Sequence, residues 1–137
     1  MSGDVLIGDF ELWMGNNLQR YWLPPELLLS EPYPYGTEVD IWSFGCIVME
    51  IADGVPPYCD CHPVKEFFYT ATRGAPPLVK ANRWSAEFKQ FLEECLHPDP
   101  AKRSSAAKLL SHKWIQKACS RKEFSDQVQL KVSWTRW

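Results

Sequence analysis

The chain has 137 residues, 45% of them hydrophobic and 23% charged, which excludes wholesale disorder and fits one ordinary globular domain. Fifteen basic and seventeen acidic residues leave a net charge of −2, so there is no basic footprint for nucleic acid and no polybasic segment for an anionic membrane. No apolar stretch approaches the roughly eighteen residues of a membrane span, and the first residues lack a basic start followed by a long apolar region; the expected compartment is cytoplasmic. The five Cys are an odd number, and Cys46 and Cys95 sit inside apolar helical patterns, so the thiols read as reduced.

Taken in chain order, residues 5–8 (Val-Leu-Ile-Gly) are a short β-branched, apolar run ending in Gly, which predicts a strand with a turn after it. Pro24, Pro25, Pro32 and Pro34 then block long helices, leaving room for one helical turn over 26–30, opened by Pro25. Residues 40–53 differ. Asp40 is placed to N-cap a helix, Gly54 to end it, and Ile41, Trp42, Phe44, Cys46, Ile47, Val48, Met49 and Ile51 are apolar around the whole circumference. That pattern predicts a helix buried on all sides.

Three amphipathic helices follow at the spacing i, i+3, i+4, i+7: Val64, Phe67, Phe68, Ala71; Phe88, Phe91, Leu92, Cys95; and a looser Ala106, Leu109, Leu110, Trp114. Pro63 suits a first helical position, Ser85 can cap the second helix with Glu87 in its first turn, and Ser104 or Ser105 can cap the third. After Cys119 the alternation Val128, Leu130, Val132 predicts one short strand.

Four ordered motifs stand out: Tyr21-Trp22-Leu23-Pro24-Pro25-Glu26, then the run from Glu38 to Cys46 that includes Asp40-Ile41-Trp42-Ser43-Phe44-Gly45, then Pro56-Pro57-Tyr58, then His97-Pro98-Asp99-Pro100-Ala101-Lys102-Arg103. Their order and separation resemble the second half of a protein kinase domain, and their wording is similar to the sterile-twenty group of Ser/Thr kinases, including the p21-activated branch. The resemblance implies a mainly α fold, a kinase-like C-lobe built as a helical bundle with one or two short strands and with the N-lobe absent. Residues 1–118 then form a partial kinase domain, and residues 119–137 a C-terminal extension.

The resemblance also implies roles. Glu26 matches the Glu that closes the activation segment, and Arg103 matches its distant Arg partner; the alternative is two unrelated surface charges, and an unrelated helical domain would leave them out of contact. Asp40 matches the Asp that accepts hydrogen bonds from catalytic-loop N–H groups, although an N-cap explains it as well. Trp42 and Gly45 belong to the same motif, and Trp42 with the apolar residues around it reads as core. Asp9-Phe10-Glu11 resembles the Asp-Phe-Gly motif, which makes Asp9 the candidate magnesium and cofactor ligand and Phe10 a structural residue of the motif.

Phosphoryl transfer needs a Gly-rich loop and a Lys on the ATP phosphates, an Asp and an Asn on two magnesium ions, and a catalytic-loop Asp on the attacking hydroxyl. The sequence carries at most one of these parts, Asp9; it has no Gly-rich phosphate loop, no strand Lys paired with a helix Glu, and no His-Arg-Asp with a following Asn. Glu11 stands where the motif has Gly, Gln19 where it has Thr and Arg20 where it has Pro, and no Ser, Thr or Tyr lies between Glu11 and Arg20 to accept a phosphate.

The expectation is a fragment of a Ser/Thr kinase whose parent uses MgATP on protein hydroxyls, without catalysis from this chain alone. Its implied partners are protein substrates or a signalling protein, and the missing kinase N-lobe segment. The alternative is a catalytically dead, pseudokinase-like binding or scaffold module that docks through residues 26–35 and 63–73. Cys59-Asp60-Cys61-His62 begins a metal-like pattern, yet no second ligand pair at zinc spacing follows. His62 and His112 read as structural.

Overall fold

The computed structural model describes residues 20–29 and 36–132. The strand expected over 5–8, together with Asp9, Phe10, Glu11 and Gln19, lies outside them. Within the described residues the chain runs through a 3-10 turn, Arg20–Trp22, and six helices: α1 Pro25–Leu29, α2 Glu38–Asp53, α3 Pro63–Arg73, α4 Ala86–Cys95, α5 Ala106–Leu110 and α6 Arg121–Val132. Shorter 3-10 turns at Ala81–Arg83, Pro100–Lys102 and Ile115–Lys117 link them, and no strand occurs among the described residues.

The helix ends follow local chemistry. Gly54, at φ 82, adopts the left-handed conformation that costs a residue with Cβ far more, and its N–H closes α2 onto the Glu50 carbonyl at 2.7 Å. Pro63 opens α3, with the His62 ring accepting from the Val64 N–H. The hydroxyls of Ser85 and Ser105 accept N–H groups of the first turns of α4 and α5. Ser104, the other capping candidate, is buried instead.

The core is the contact of α2 with α4. Trp42, Cys46, Val48 and Met49 of α2 meet Phe88, Phe91, Leu92 and Cys95 of α4, with Leu96 and Leu109 closing the cluster. Trp84, Phe88, Trp114 and Phe91 follow one another at ring separations of 4.5, 4.9 and 4.7 Å, within the range where tilted rings attract. Burial pushes the Cys46 and Cys95 thiols up to about 12, so both stay protonated and act as small hydrophobes. The two helices touch at Gly45, where a Cβ would lie 2.8 Å from that of Cys95 and 2.8 Å from Leu96 Cδ2.

Five expectations are corrected. Asp40 is not the N-cap: α2 starts two residues earlier at Glu38, with Thr37 before it making no side-chain cap, so Asp40 sits exposed in the first turn. Carboxylates there favour the helix through its dipole, which removes the need for a cap at Asp40. Next, α2 is not buried on all sides. Phe44, Ile47 and Ile51 form one exposed stripe, Ile51 at 78%, because the Arg20–Trp22 turn and α4 occupy only the other sides.

The apolar face of α3 points outward as well. Val64, Phe67 and Phe68 are exposed, whereas Glu66 and Thr70 are buried; periodicity sets where an apolar face lies on a helix but not which side the rest of the protein takes. The pattern ending at Trp114 is helical only to Leu110. His112 Nδ1 accepts the Trp114 N–H at 3.2 Å and Ser111 Oγ donates to the Lys108 carbonyl at 2.9 Å, side-chain bonds that compete with further helical turns.

Finally, residues 128–132 are helical rather than a strand. Ser120 and Glu123 form a reciprocal capping box: the Glu123 carboxylate accepts from the Ser120 N–H at 2.8 Å while the Glu123 N–H reaches the Ser120 hydroxyl at 3.3 Å. That nucleates α6 through the Val128, Leu130, Val132 alternation.

Because Gly45 leaves no room for a side chain, Gly45→Val should lower stability by about 1–3 kcal/mol, read as an earlier thermal midpoint. An unchanged midpoint would mean that α2 and α4 are not in this contact.

Candidate functional site

The run His97 to Arg103 folds so as to aim one side chain inward. His97 Nδ1 accepts from the Asp99 N–H at 3.1 Å, and Asp99 Oδ1 accepts from the Ala101 N–H at 3.0 Å. The Arg103 N–H then closes the 3-10 turn onto the Pro100 carbonyl at 3.2 Å. Both prolines of the run suit this tight path, since a fixed φ costs them little.

The Arg103 side chain that results has no solvent exposure. Its Nη1 and Nη2 donate to Glu26 Oε1 and Oε2 at 2.7 and 3.0 Å, a two-pronged pair. Nη1 also donates to the Glu38 carbonyl at 2.6 Å, and Nε to the His97 carbonyl at 3.2 Å. Beneath lies Trp42, whose ring centroid is 5.2 Å from the guanidinium carbon, close enough for cation–π attraction. One residue therefore ties α1, the start of α2 and the 97–103 loop together, across 77 positions of sequence to Glu26.

Glu26 reaches that position because the buried Pro24 and Pro25 set the entry of α1, and the Leu27 N–H closes onto the Pro24 carbonyl at 3.1 Å. The segment ahead of it is latched separately. Trp22 Nε1 donates to Glu50 Oε2 at 2.9 Å and the Ser43 hydroxyl donates to the Trp22 carbonyl at 2.9 Å, both acceptor and donor being on α2. Trp22 is thus fastened to α2 by both its side chain and its carbonyl.

At the first turn of α2, hydrogen bonds from its own backbone N–H and that of Gly36, aided by Arg103, hold the Glu38 carboxyl below its ordinary range. Directly after Arg103, Ser104 Oγ donates to Glu94 Oε2 at 2.7 Å, and Lys108 Nζ lies 3.1 Å from the same oxygen. That hydroxyl, followed by Lys108, lowers the Glu94 carboxyl below its ordinary 4.5.

Of the residues singled out by sequence, the structure brings Glu26, Trp42 and Arg103 into contact, places Gly45 in the α2–α4 seam and leaves Asp40 exposed in the first turn of α2. Asp9 and Phe10 lie outside the described residues. Sequence reasoning missed Glu50, Ser43 and Glu94. Glu50 had a signal: it is the one charged residue between Ile41 and Ile51, and a carboxylate there calls for a partner.

The described residues do not by themselves fit a magnesium–triphosphate site. Among them no group of three or more His, Cys, Asp or Glu side chains is arranged to hold a metal ion. A shallow groove of about 260 Å³ is lined by Gln90, Glu94, Lys108, Ser111, His112 and Lys113, with a carboxylate in its wall and none of the candidate site residues. Cys59 and Cys61 form no disulfide and are half-buried, and His62 is engaged in capping α3.

Comparison with known proteins agrees with this geometry. A family model described as Protein kinase domain matches residues 14–115. The chain is 41% identical over 109 residues to the serine/threonine-protein kinase pakC of Dictyostelium discoideum, covering 80% of this chain and 22% of the relative. It is 42% identical over 108 residues to pakA of the same organism, covering 79% and 9%. To the serine/threonine-protein kinase cst-1 of Caenorhabditis elegans it is 39% identical over 98 residues, covering 72% and 19%. The chain therefore spans less than a quarter of each of these relatives.

Two outcomes follow from the latch and from Glu94. Trp22→Phe keeps a smaller aromatic ring and removes the indole N–H donor to Glu50, so it should cost about 1–3 kcal/mol in denaturant unfolding with an unchanged m-value; a neutral result would mean the bond contributes nothing. For Glu94, a folded pKa below the unfolded one gives stability that is present above about pH 4.5 and lost as the pH falls through the folded pKa. Glu94→Gln should flatten that acid limb of the stability curve, and an identical limb would show that other groups produce it.

Proposed function

This chain belongs to the protein kinase family, and on that premise we propose that it is the C-lobe portion of a sterile-twenty-type Ser/Thr kinase. The complete protein transfers phosphate from MgATP to hydroxyls of protein substrates in the cytoplasm. The observation that carries the reading is the Arg103 clamp: the two residues matching the family's distant ion pair meet at 2.7 Å and join α1 to the 97–103 loop and the start of α2.

Within that reading each residue has a physical task. Phosphoryl transfer is mostly positioning and charge neutralisation, and the clamp supplies positioning by fixing the end of the activation segment against the helical body. Asp40, exposed at the first turn of α2, is open to accept N–H groups from a catalytic loop. Asp9 is the proposed magnesium ligand of the complete kinase. In the complete kinase MgATP would supply the transferred phosphoryl group; the described residues by themselves do not fit it.

The uncovered stripe of Phe44, Ile47 and Ile51 supports the same reading. Apolar side chains aligned on a core helix are normally covered, and we assign the cover to kinase-domain sequence that the 137 residues do not contain. Without that sequence the chain has no Gly-rich loop, phosphate-binding Lys or catalytic loop, so catalysis by these residues alone is not expected.

A second reading, a non-catalytic binding module, is favoured by the outward face of α3, which turns Val64, Phe67 and Phe68 to solvent, with Val64 at 69% exposure. Glu11 and Gln19, where the family has Gly and Thr, point the same way.

The test is the size of the native polypeptide in its source cells, detected through the 108–117 region and checked by intact mass. The kinase reading predicts a species much larger than 15.9 kDa that phosphorylates protein hydroxyls, while the purified 137 residues bind apolar dye and self-associate. A native species of 15.9 kDa that is a cooperative, dye-silent monomer would overturn it in favour of the binding module.

A further inference from the structure

We draw no further inference here: the strongest candidate, the exposed apolar stripe of Phe44, Ile47 and Ile51 on α2 between the Arg20–Trp22 turn and α4, belongs to the reading already proposed, and nothing in the structure shows what else covers it.

Discussion

A guanidinium without solvent exposure must find acceptors inside the protein for its five N–H donors, and the arrangement around Arg103 is the consequence. Contacts from three of its nitrogens reach Glu26, the Glu38 carbonyl and the His97 carbonyl. Desolvating such a pair costs several kcal/mol per ion, so its net contribution to stability is modest, but removing one partner strands the other at a cost of about 3–5 kcal/mol. The clamp therefore works as a constraint on geometry. It specifies where α1, the start of α2 and the 97–103 loop sit relative to one another, and the Trp22–Glu50 bond extends that constraint to the preceding turn.

Around this polar centre the apolar surface is unevenly used. The α2–α4 seam is packed to the point where Gly45 is the largest residue it accepts, and aromatic rings carry the packing on to Trp114. On the far side of α2, and on α3, large side chains face solvent. A helix that buries Glu66 and Thr70 while exposing two Phe side chains is amphipathic in reverse. The described residues thus form a well-ordered core with two unused apolar faces, which suits a portion of a larger kinase domain better than a finished unit.

Much of this was legible in the sequence because local chemistry decides it. Pro25, Pro63, Ser85 and Gly54 mark helix ends through φ restriction, hydroxyl capping and left-handed geometry, and each does so in the structure. The Glu26–Arg103 pairing was legible only through family motifs, since nothing in composition or periodicity relates residues so far apart. What was not legible depended on tertiary placement. The outward turn of Phe67 and Phe68 and the bare side of α2 depend on what packs where, and period alone is silent on that. The alternation at 128–132 does not make a strand for a local reason: the Ser120–Glu123 capping box commits the segment to helix before the alternation counts.

Whether Glu26 and Arg103 act as one unit is measured directly by a double-mutant cycle. Glu26→Gln, Arg103→Met and the double variant would be compared with the unmodified chain in denaturant unfolding, with circular dichroism to show that each folds. A coupling energy of about 2–3 kcal/mol is expected for a contacting buried pair. Additivity to within about 0.5 kcal/mol, the behaviour of distant sites, would contradict the clamp and the fold built around it.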